Sequence, residues 1–513
     1  MPITYEWIPG PFAKAKADLL QECASLYSSH YGQWAADAPH NPGQPVRLSV
    51  ERIRQWFESP DSKIAVARQD RTLIGYTIAV RTKVPRYGVV TWVTQLVVHE
   101  EHRRGGVAKN LLFCLWSFSD HFAWGLVSAN PFAVRALEKA TRRRCNPVRI
   151  KKHQDMLLAV ATDHVPYISR ETATVLRDDA CRINTEFFLD HSNLKSMIAD
   201  ATAHAPPWVL GNLEPGWEWF AFTFNDQDPI ELTAEEIQAM IKASDQVVRQ
   251  AYSRMTLDSG HSWSKHTPAE TEFIVRHCNL KSGDNVLDLG CGTGRHAIQL
   301  AENNLRVTGV DYVPDFIAKA AAMAKNQNLG NVEFHEGDCR DVEFEERFQC
   351  VICLYDVIGS FAERRENFKI VRNIGQHLLP GGSALISVMN GVLTAKNAKH
   401  RFSLKTDPNR LLALPPSRTM ENTGNVFDPD FYMLDTDTQV VYRKEQFEQG
   451  ALLPTELIVR DLRYTPPEIR DLLGAVGLKI EWVRCVKAGD WETNLDADHD
   501  RAKEILILCR KPK

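Results

Sequence analysis

From Ser282 onward, apolar strand-like runs alternate with helical segments, and the first turn of that series carries three glycines in five residues, Gly290-x-Gly292-x-Gly294. This alternation is the sequence sign of an α/β, doubly wound parallel sheet, because parallel neighbours need a crossover that is usually a helix. Strands are expected at 286–289, 307–311, 332–335, 349–355 and 383–389, with helices after Arg295, from Pro314 and over 364–379. The fixed φ of Pro314 suits a first helical position. Between Asn390 and Glu456 the alternation fails, so an insertion at about 391–456 is expected to cover the active site as a lid.

The glycines let the backbone turn sharply and approach a ligand that a Cβ would exclude. Asp288 stands just before them, and Asp311 ends the next strand, about the 20-residue offset at which a carboxylate can hold ribose hydroxyls. A dinucleotide site would want Gly-x-Gly-x-x-Gly and a helix N-terminus left open for pyrophosphate. The shorter spacing and the preceding acid suit a nucleoside that carries an ammonium group and no phosphate.

On these residues the segment from Val286 to Asn390 resembles the class I S-adenosylmethionine-dependent methyltransferases. The resemblance implies a Rossmann-like domain in which Asp288, Gly290, Gly292 and Gly294 hold the methionine side of S-adenosylmethionine. It places Asp311 on the ribose and Asp338 and Cys339 at the adenine. Acceptor-side, catalytic candidates are Asp356, after the fourth strand, and Tyr464, in the run Arg460-Asp461-Leu462-Arg463-Tyr464-Thr465 before a helix at Pro466. Tyr464 reads equally as core packing and Arg463 as a surface ion pair. Tyr355-Asp356-Val357-Ile358 lacks the Asp/Asn-Pro-Pro-aromatic motif of nucleobase amino-methylating relatives, which disfavours a base amine and leaves O, N or C of a small molecule open. The direct displacement requires no metal.

The N-terminal part reads differently. Residues 1–160 hold 22 Lys and Arg against 13 Asp and Glu in a chain whose net charge is -4, a local balance that suits an anionic ligand such as coenzyme A or a nucleic acid. Strands are expected over 64–68, 73–81 and 88–99, then a helix over 106–121 and a short strand at 126–128. The turn His99-Glu100-Glu101-His102-Arg103-Arg104-Gly105-Gly106-Val107-Ala108 would present unpaired backbone N–H groups and two arginines at a helix start, an anion cradle. Arg103, Gly106 and Ala108 match the pyrophosphate loop Arg/Gln-x-x-Gly-x-Gly/Ala of the GNAT family of N-acetyltransferases, and Asn130 and Ala133 match its Asn-x-x-Ala helix start.

That resemblance implies a mixed-sheet domain binding acetyl-CoA or another acyl-CoA through Val97, Val98, Arg103, Arg104, Gly105, Gly106, Val107, Ala108 and Asn130. It departs from the family at Leu137, where a tyrosine commonly protonates the leaving thiolate, and strand 91–95 carries no carboxylate to act as base. Either acetyl transfer or a binding-only module fits. The basic run Arg142-Arg143-Arg144, Arg149, Lys151-Lys152 could grip nucleic acid or be a solvated face.

A length of 513 residues implies several domains. The division expected is a GNAT-like domain at 1–160, a smaller middle region at 161–250 and a methyltransferase domain at 251–513. The middle contains Trp217-Glu218-Trp219-Phe220-Ala221-Phe222-Thr223-Phe224, whose aromatics on both alternating faces fit a strand buried on both sides. The 11 scattered cysteines read as reduced thiols, with Cys350-x-x-Cys353 inside an apolar run as buried hydrophobes. No apolar run spans a bilayer and no signal-peptide pattern opens the chain, so a cytoplasmic location without membrane contact is expected. The reading preferred is a two-activity transferase that methylates, and also acetylates, a small-molecule intermediate. The alternative is a methyltransferase for RNA or protein with a degenerate GNAT-like recognition module; nothing in the sequence addresses oligomeric state.

Overall fold

A computed structural model describes residues 3–169, 181–253, 265–417, 425–449 and 452–513. The chain divides into two compact units, the first of Met1–Gln250 with Glu448–Leu457, the second of Ala251–Phe447 with Ile458–Lys513.

The first unit is built on seven strands, β1 (Thr4–Pro9), β2 (Ser62–Gln69), β3 (Thr72–Val84), β4 (Gly88–Val98), β5 (Ala123–Ser128), β6 (Arg182–Asn184) and β7 (Trp217–Phe224). They lie in the order β1-β2-β3-β4-β5-β7-β6. Asp70 and Arg71, both at positive φ, make the tight β2–β3 turn. Helix α1 (Ala17–His30) covers one face, where Leu20, Cys23 and Tyr27 pack on Ile64, Val66, Tyr76, Ile78 and Val97. Helix α2 (Val107–Trp116) is the crossover from β4 to the parallel β5, and α3 (Pro131–Thr141), α4 (Pro147–His164) and α5 (Leu194–Thr202) follow. Helix α6 (Ala234–Ser253) leads out of the unit.

Two irregularities shape the sheet. The register of β4 against β3 slips at Thr94, a bulge that strengthens local twist. Strand β4 then pairs with β5 only from Val90 to Val93, while β5 continues to Ser128 against β7. The two central strands therefore part beyond Val93.

The middle region is not a connector in this structure: β6 and β7 extend the N-terminal sheet, and Arg135 of α3 donates to the carbonyls of Ala201 and Pro206. The reason is physical. All eight residues of β7 are buried, and a strand with aromatics on both faces is stable only inside a sheet covered on both sides.

In the second unit, β8 (Asn285–Leu289), β9 (Arg306–Asp311), β10 (Val332–Glu336), β11 (Phe348–Cys353) and β12 (Leu378–Met389) are parallel. Helices α7 (Thr267–His277), α8 (Arg295–Glu302), α9 (Pro314–Asn326) and α10 (Arg364–His377) accompany them. The insertion forms a small sheet of its own from β13 (His400–Phe402), β14 (Pro416–Ser417), β15 (Tyr432–Asp435), β16 (Val440–Gln449) and β17 (Leu452–Leu462). Its residues 418–424 and 450–451 lie outside the described residues, and 448–457 belong to the first unit. Helix α11 (Pro466–Gly474), opened by a Thr465/Glu468 capping box, precedes β18 (Lys479–Lys487), β19 (Asp490–Leu495) and β20 (Glu504–Arg510). The main sheet runs β10-β9-β8-β11-β12-β20-β18-β19, so the order reverses between β8 and β11, which opens a crevice at their C-terminal ends. Among the described residues, no helix is long and apolar enough to cross a membrane.

A Cβ on Gly125 of β5 would collide with the ring of Phe222 on β7. Gly125→Ala is expected to destabilise the first unit by about 1–3 kcal/mol through overpacking, read as a lower urea midpoint.

Candidate functional sites

The C-terminal crevice gathers the glycine loop and its acids. Asp288, in β8, is 3% exposed, and its Oδ2 has no hydrogen-bond partner. Burial pushes its carboxyl up to about 7, and the charge of Asp311 adds to this while Arg295 opposes it. An unpaired buried oxygen is costly and marks a place for a donor group. Gly290, Gly292 and Gly294 all have positive φ. A Cβ at Gly290 would strike Val357 and one at Gly294 would lie 2.7 Å from the Phe334 ring, whereas beside Gly292 nothing stands within 4 Å. The loop is thus packed on two sides and open at its centre.

Asp311 ends β9 and accepts from the backbone N–H of Gly292 at 2.9 Å and of Val313 at 3.0 Å. Asp338 is gripped by Arg340, which donates from Nε at 2.9 Å and from a terminal nitrogen at 2.8 Å. Cys339 is buried, and its carbonyl accepts from Asn373 at 3.0 Å.

Across the switch point, Tyr355 and Asp356 both adopt left-handed φ, 58° and 67°, which non-glycine residues hold only at a cost. The Tyr355 hydroxyl donates to Glu270 of α7, and the Arg295 guanidinium lies 4.3 Å above the Tyr355 ring. Glu270 also meets Arg295 at 3.0 Å and His296 at 2.9 Å. Burial and Arg295 lower His296 to about 4, so it is neutral at pH 7 and its contact with Glu270 is a hydrogen bond. Glu270, His296 and Arg295 carried no distinguishing spacing in the sequence; the fold brings α7 to the loop.

Asp356 is half-buried, with Oδ1 enclosed and unpartnered. Burial raises its carboxyl well above the usual range, Asp461 adds to this, and Arg463 and Arg443 oppose it. Behind it runs a buried ionic chain: Arg443 joins Glu445 at 2.7 Å and Asp461 at 3.0 Å, and Arg463 joins Asp461 at 2.8 Å. Arg463 is therefore not a surface ion pair; it is 3% exposed and also donates to Thr394 and to the Val426 carbonyl. Tyr464 is enclosed at 1% exposure, with its main chain bonded to Met389 and Gly391.

In the first unit, Gly106 (φ 82°) is the N-cap of α2 and supplies no side chain to cap it. Arg103 is tied back to the carbonyls of Val98 and His30, whereas Arg104 is mostly exposed and meets Asp200 at 3.2 Å. Gly105 lies next to them, and Val107 and Ala108 open the helix. Val97 and Val98 pair with β3 beyond the point where β5 departs. Asn130 caps α3 by accepting from Phe132 N–H at 2.9 Å. The basic run is largely spoken for: Arg142 is buried, Arg143 donates to Asn225, Arg144 pairs with Glu138 and Arg149 with Asp226.

One buried acid escaped the sequence reading. Glu218 of β7 is 4% exposed and accepts from the Thr185 hydroxyl at 2.8 Å and from the Ala129 backbone N–H. Its signal was present: it is the one acid within an eight-residue aromatic and apolar strand.

The raised carboxyl of Asp288 fixes a sign. Its contribution to stability is complete below the unfolded-state value near 4 and is lost as pH rises through about 7. Asp288→Asn is expected to remove that loss, so its melting temperature should exceed the parent's at pH 8 and the gap should close as pH falls below about 4, read by calorimetry.

Residues 286–382 match a methyltransferase-domain family model, and residues 25–140 match that of the acetyltransferase (GNAT) family. The cypemycin N-terminal methyltransferase of a Streptomyces sp is 37% identical over 230 residues, 45% of this chain and 84% of that protein. The dTDP-3-amino-3,6-dideoxy-alpha-D-glucopyranose N,N-dimethyltransferase of Streptomyces fradiae is 31% identical over 118 residues, 23% of this chain and 44% of that protein. Among solved structures, the CcbJ methyltransferase from Streptomyces caelestis aligns at a TM-score of 0.38 with 19% identity, covering 52% of this chain and 96% of that one. The chain belongs to the S-adenosylmethionine-dependent methyltransferases and carries a GNAT-family acetyltransferase domain in its N-terminal part.

Proposed function

We propose that the C-terminal unit methylates the amine nitrogen of a small molecule, and that the N-terminal unit transfers an acyl group from acetyl-CoA or another acyl-CoA to an amine. The observation that carries the first part is the orphaned, buried Asp288 oxygen in a glycine loop that is open at Gly292. The residues present fit S-adenosylmethionine: Asp288 would accept from its ammonium group, Asp311 from ribose hydroxyls, and Asp338 with Cys339 would border the adenine. The bound donor supplies a methyl group on a sulfonium for in-line displacement.

The chain's own task is to align the acceptor and remove a proton from its ammonium form. Asp356 is the candidate for this task, since its enclosed Oδ1 is unpartnered and open to a hydrogen bond from the acceptor nitrogen. The names of the two Streptomyces relatives specify nitrogen acceptors. One of them specifies an N-terminus, which favours the terminal amine of a peptide as a second reading. The internal pairing of the basic run supports a small molecule over nucleic acid.

For the N-terminal unit, support comes from the uncapped helix start at Gly106, the exposed Arg104 and the parted strands β4 and β5. Arg104 and the N–H groups of Val107 and Ala108 suit a pyrophosphate, and the free edge beyond Val93 suits an amide-bearing arm.

Incubation of cell extract with the chain and methyl-labelled S-adenosylmethionine is expected to label a small amine, with loss of at least about 100-fold in Asp288→Ala. Label on RNA, or label that does not depend on Asp288, would overturn this reading.

A further inference from the structure

We propose that Glu218 is the general base of the N-terminal unit and that the tyrosines around it form the acceptor pocket for an arylalkylamine. This rests on the acyl-transfer reading above and adds to it a base and an acceptor class.

The carboxylate stands where such a base must stand. Residues Ser128 and Trp219 are register partners, so Glu218 lies just past the C-terminal end of β5, and the Ala129 N–H fixes its carboxylate there. This is the end at which β5 leaves β4, the side from which a thioester held along the free edge of β4 would present its carbonyl.

The surroundings have one chemical character. Tyr27 of α1 and Tyr31, just past its end, stack at 4.2 Å, and Phe187 lies 6.0 Å from Tyr31. The electrostatic influence of Glu218 reaches Tyr27, Tyr31 and Tyr167, and Tyr27 in turn neighbours Tyr76. Trp92 of β4 packs on Phe220 and donates to the Tyr167 hydroxyl.

Gln95 and Tyr76 carry polar groups on this face that await a partner. Gln95 is opposite Ile78, which packs under α1, so it stands on the α1 side; it is 9% exposed and its Oε1 is unpartnered. The fully buried Tyr76 hydroxyl is unpartnered as well. Aromatic faces with one carboxylate and unsatisfied oxygens suit an ammonium on an aromatic body.

In the reaction Glu218 takes a proton from the acceptor ammonium and releases it to solvent. The freed nitrogen lone pair forms the C–N bond to the thioester carbonyl, the C–S bond breaks, and the second proton lost from nitrogen passes to the departing thiolate. Burial holds the Glu218 carboxyl near 7, against the lowering by Thr185 and Ala129, which poises it for this exchange. Among the described residues, the titratable groups facing it are Tyr27, Tyr31 and Tyr167, with Tyr76 behind, all neutral through this range.

The test uses the full chain with acetyl-CoA and, as acceptors, tyramine and 2-phenylethylamine. Glu218→Gln should bind acetyl-CoA as the parent does by calorimetry, keep its circular dichroism, and lose about 100-fold or more in kcat/KM for the amine. The parent's kcat/KM should climb through pH 7 and that limb should vanish in the variant, with Glu218→Asp restoring part of the rate. If the parent binds acetyl-CoA but acetylates neither amine, or Glu218→Gln keeps the rate and the limb, the assignment of Glu218 falls while acyl-CoA binding stands. If the parent binds no acetyl-CoA, the acyl-transfer reading falls and takes this inference with it.

Discussion

A carboxyl buried with one oxygen unpartnered is the constraint around which the C-terminal unit is arranged. The chain turns two residues later at Gly290, where the positive φ and the Val357 side chain leave no room for a side chain. The cost of enclosing that carboxyl is offset by the sheet around it, where Val286, Leu287 and Leu289 are fully buried. A functional site of this kind is a local instability carried by a stable frame.

The same logic recurs at Asp356. Two consecutive left-handed residues aim it out of β11, and the Arg443–Asp461–Arg463 chain behind it, assembled partly from the insertion, supplies positive charge without neutralising it fully. Removing one member of such a buried ionic chain leaves an uncompensated charge, so the insertion is bound to the site by electrostatics as much as by apolar packing.

In the first unit the corresponding device is geometric. The slip at Thr94 and the early end of β4–β5 pairing open the middle of a sheet, and β7 closes its far side with aromatics. The bulge left no signature in Val93-Thr94-Gln95, because one extra residue in a strand changes neither composition nor apolar pattern over so short a run. The role of β7 was half legible: its aromatics on both faces announced a buried strand, but its partners β5 and β6 both lie far earlier in the chain, beyond the reach of local pattern.

Local sequence determined what local chemistry can specify. The glycine loop with Asp288 and Asp311, the turn at Arg103 to Ala108, the parallel alternation after Ser282 and the start of α11 at Pro466 are each set by backbone sterics or by strand and helix periodicity within about 25 residues. Tertiary structure alone decided that residues 181–224 complete the N-terminal sheet, that Arg463 and Tyr464 are enclosed, that Glu270 meets Arg295 and His296, and that Glu218 is buried. Burial and pairing between segments far apart in the chain depend on which surfaces meet, and that information is spread over the whole chain and absent from any one window of it.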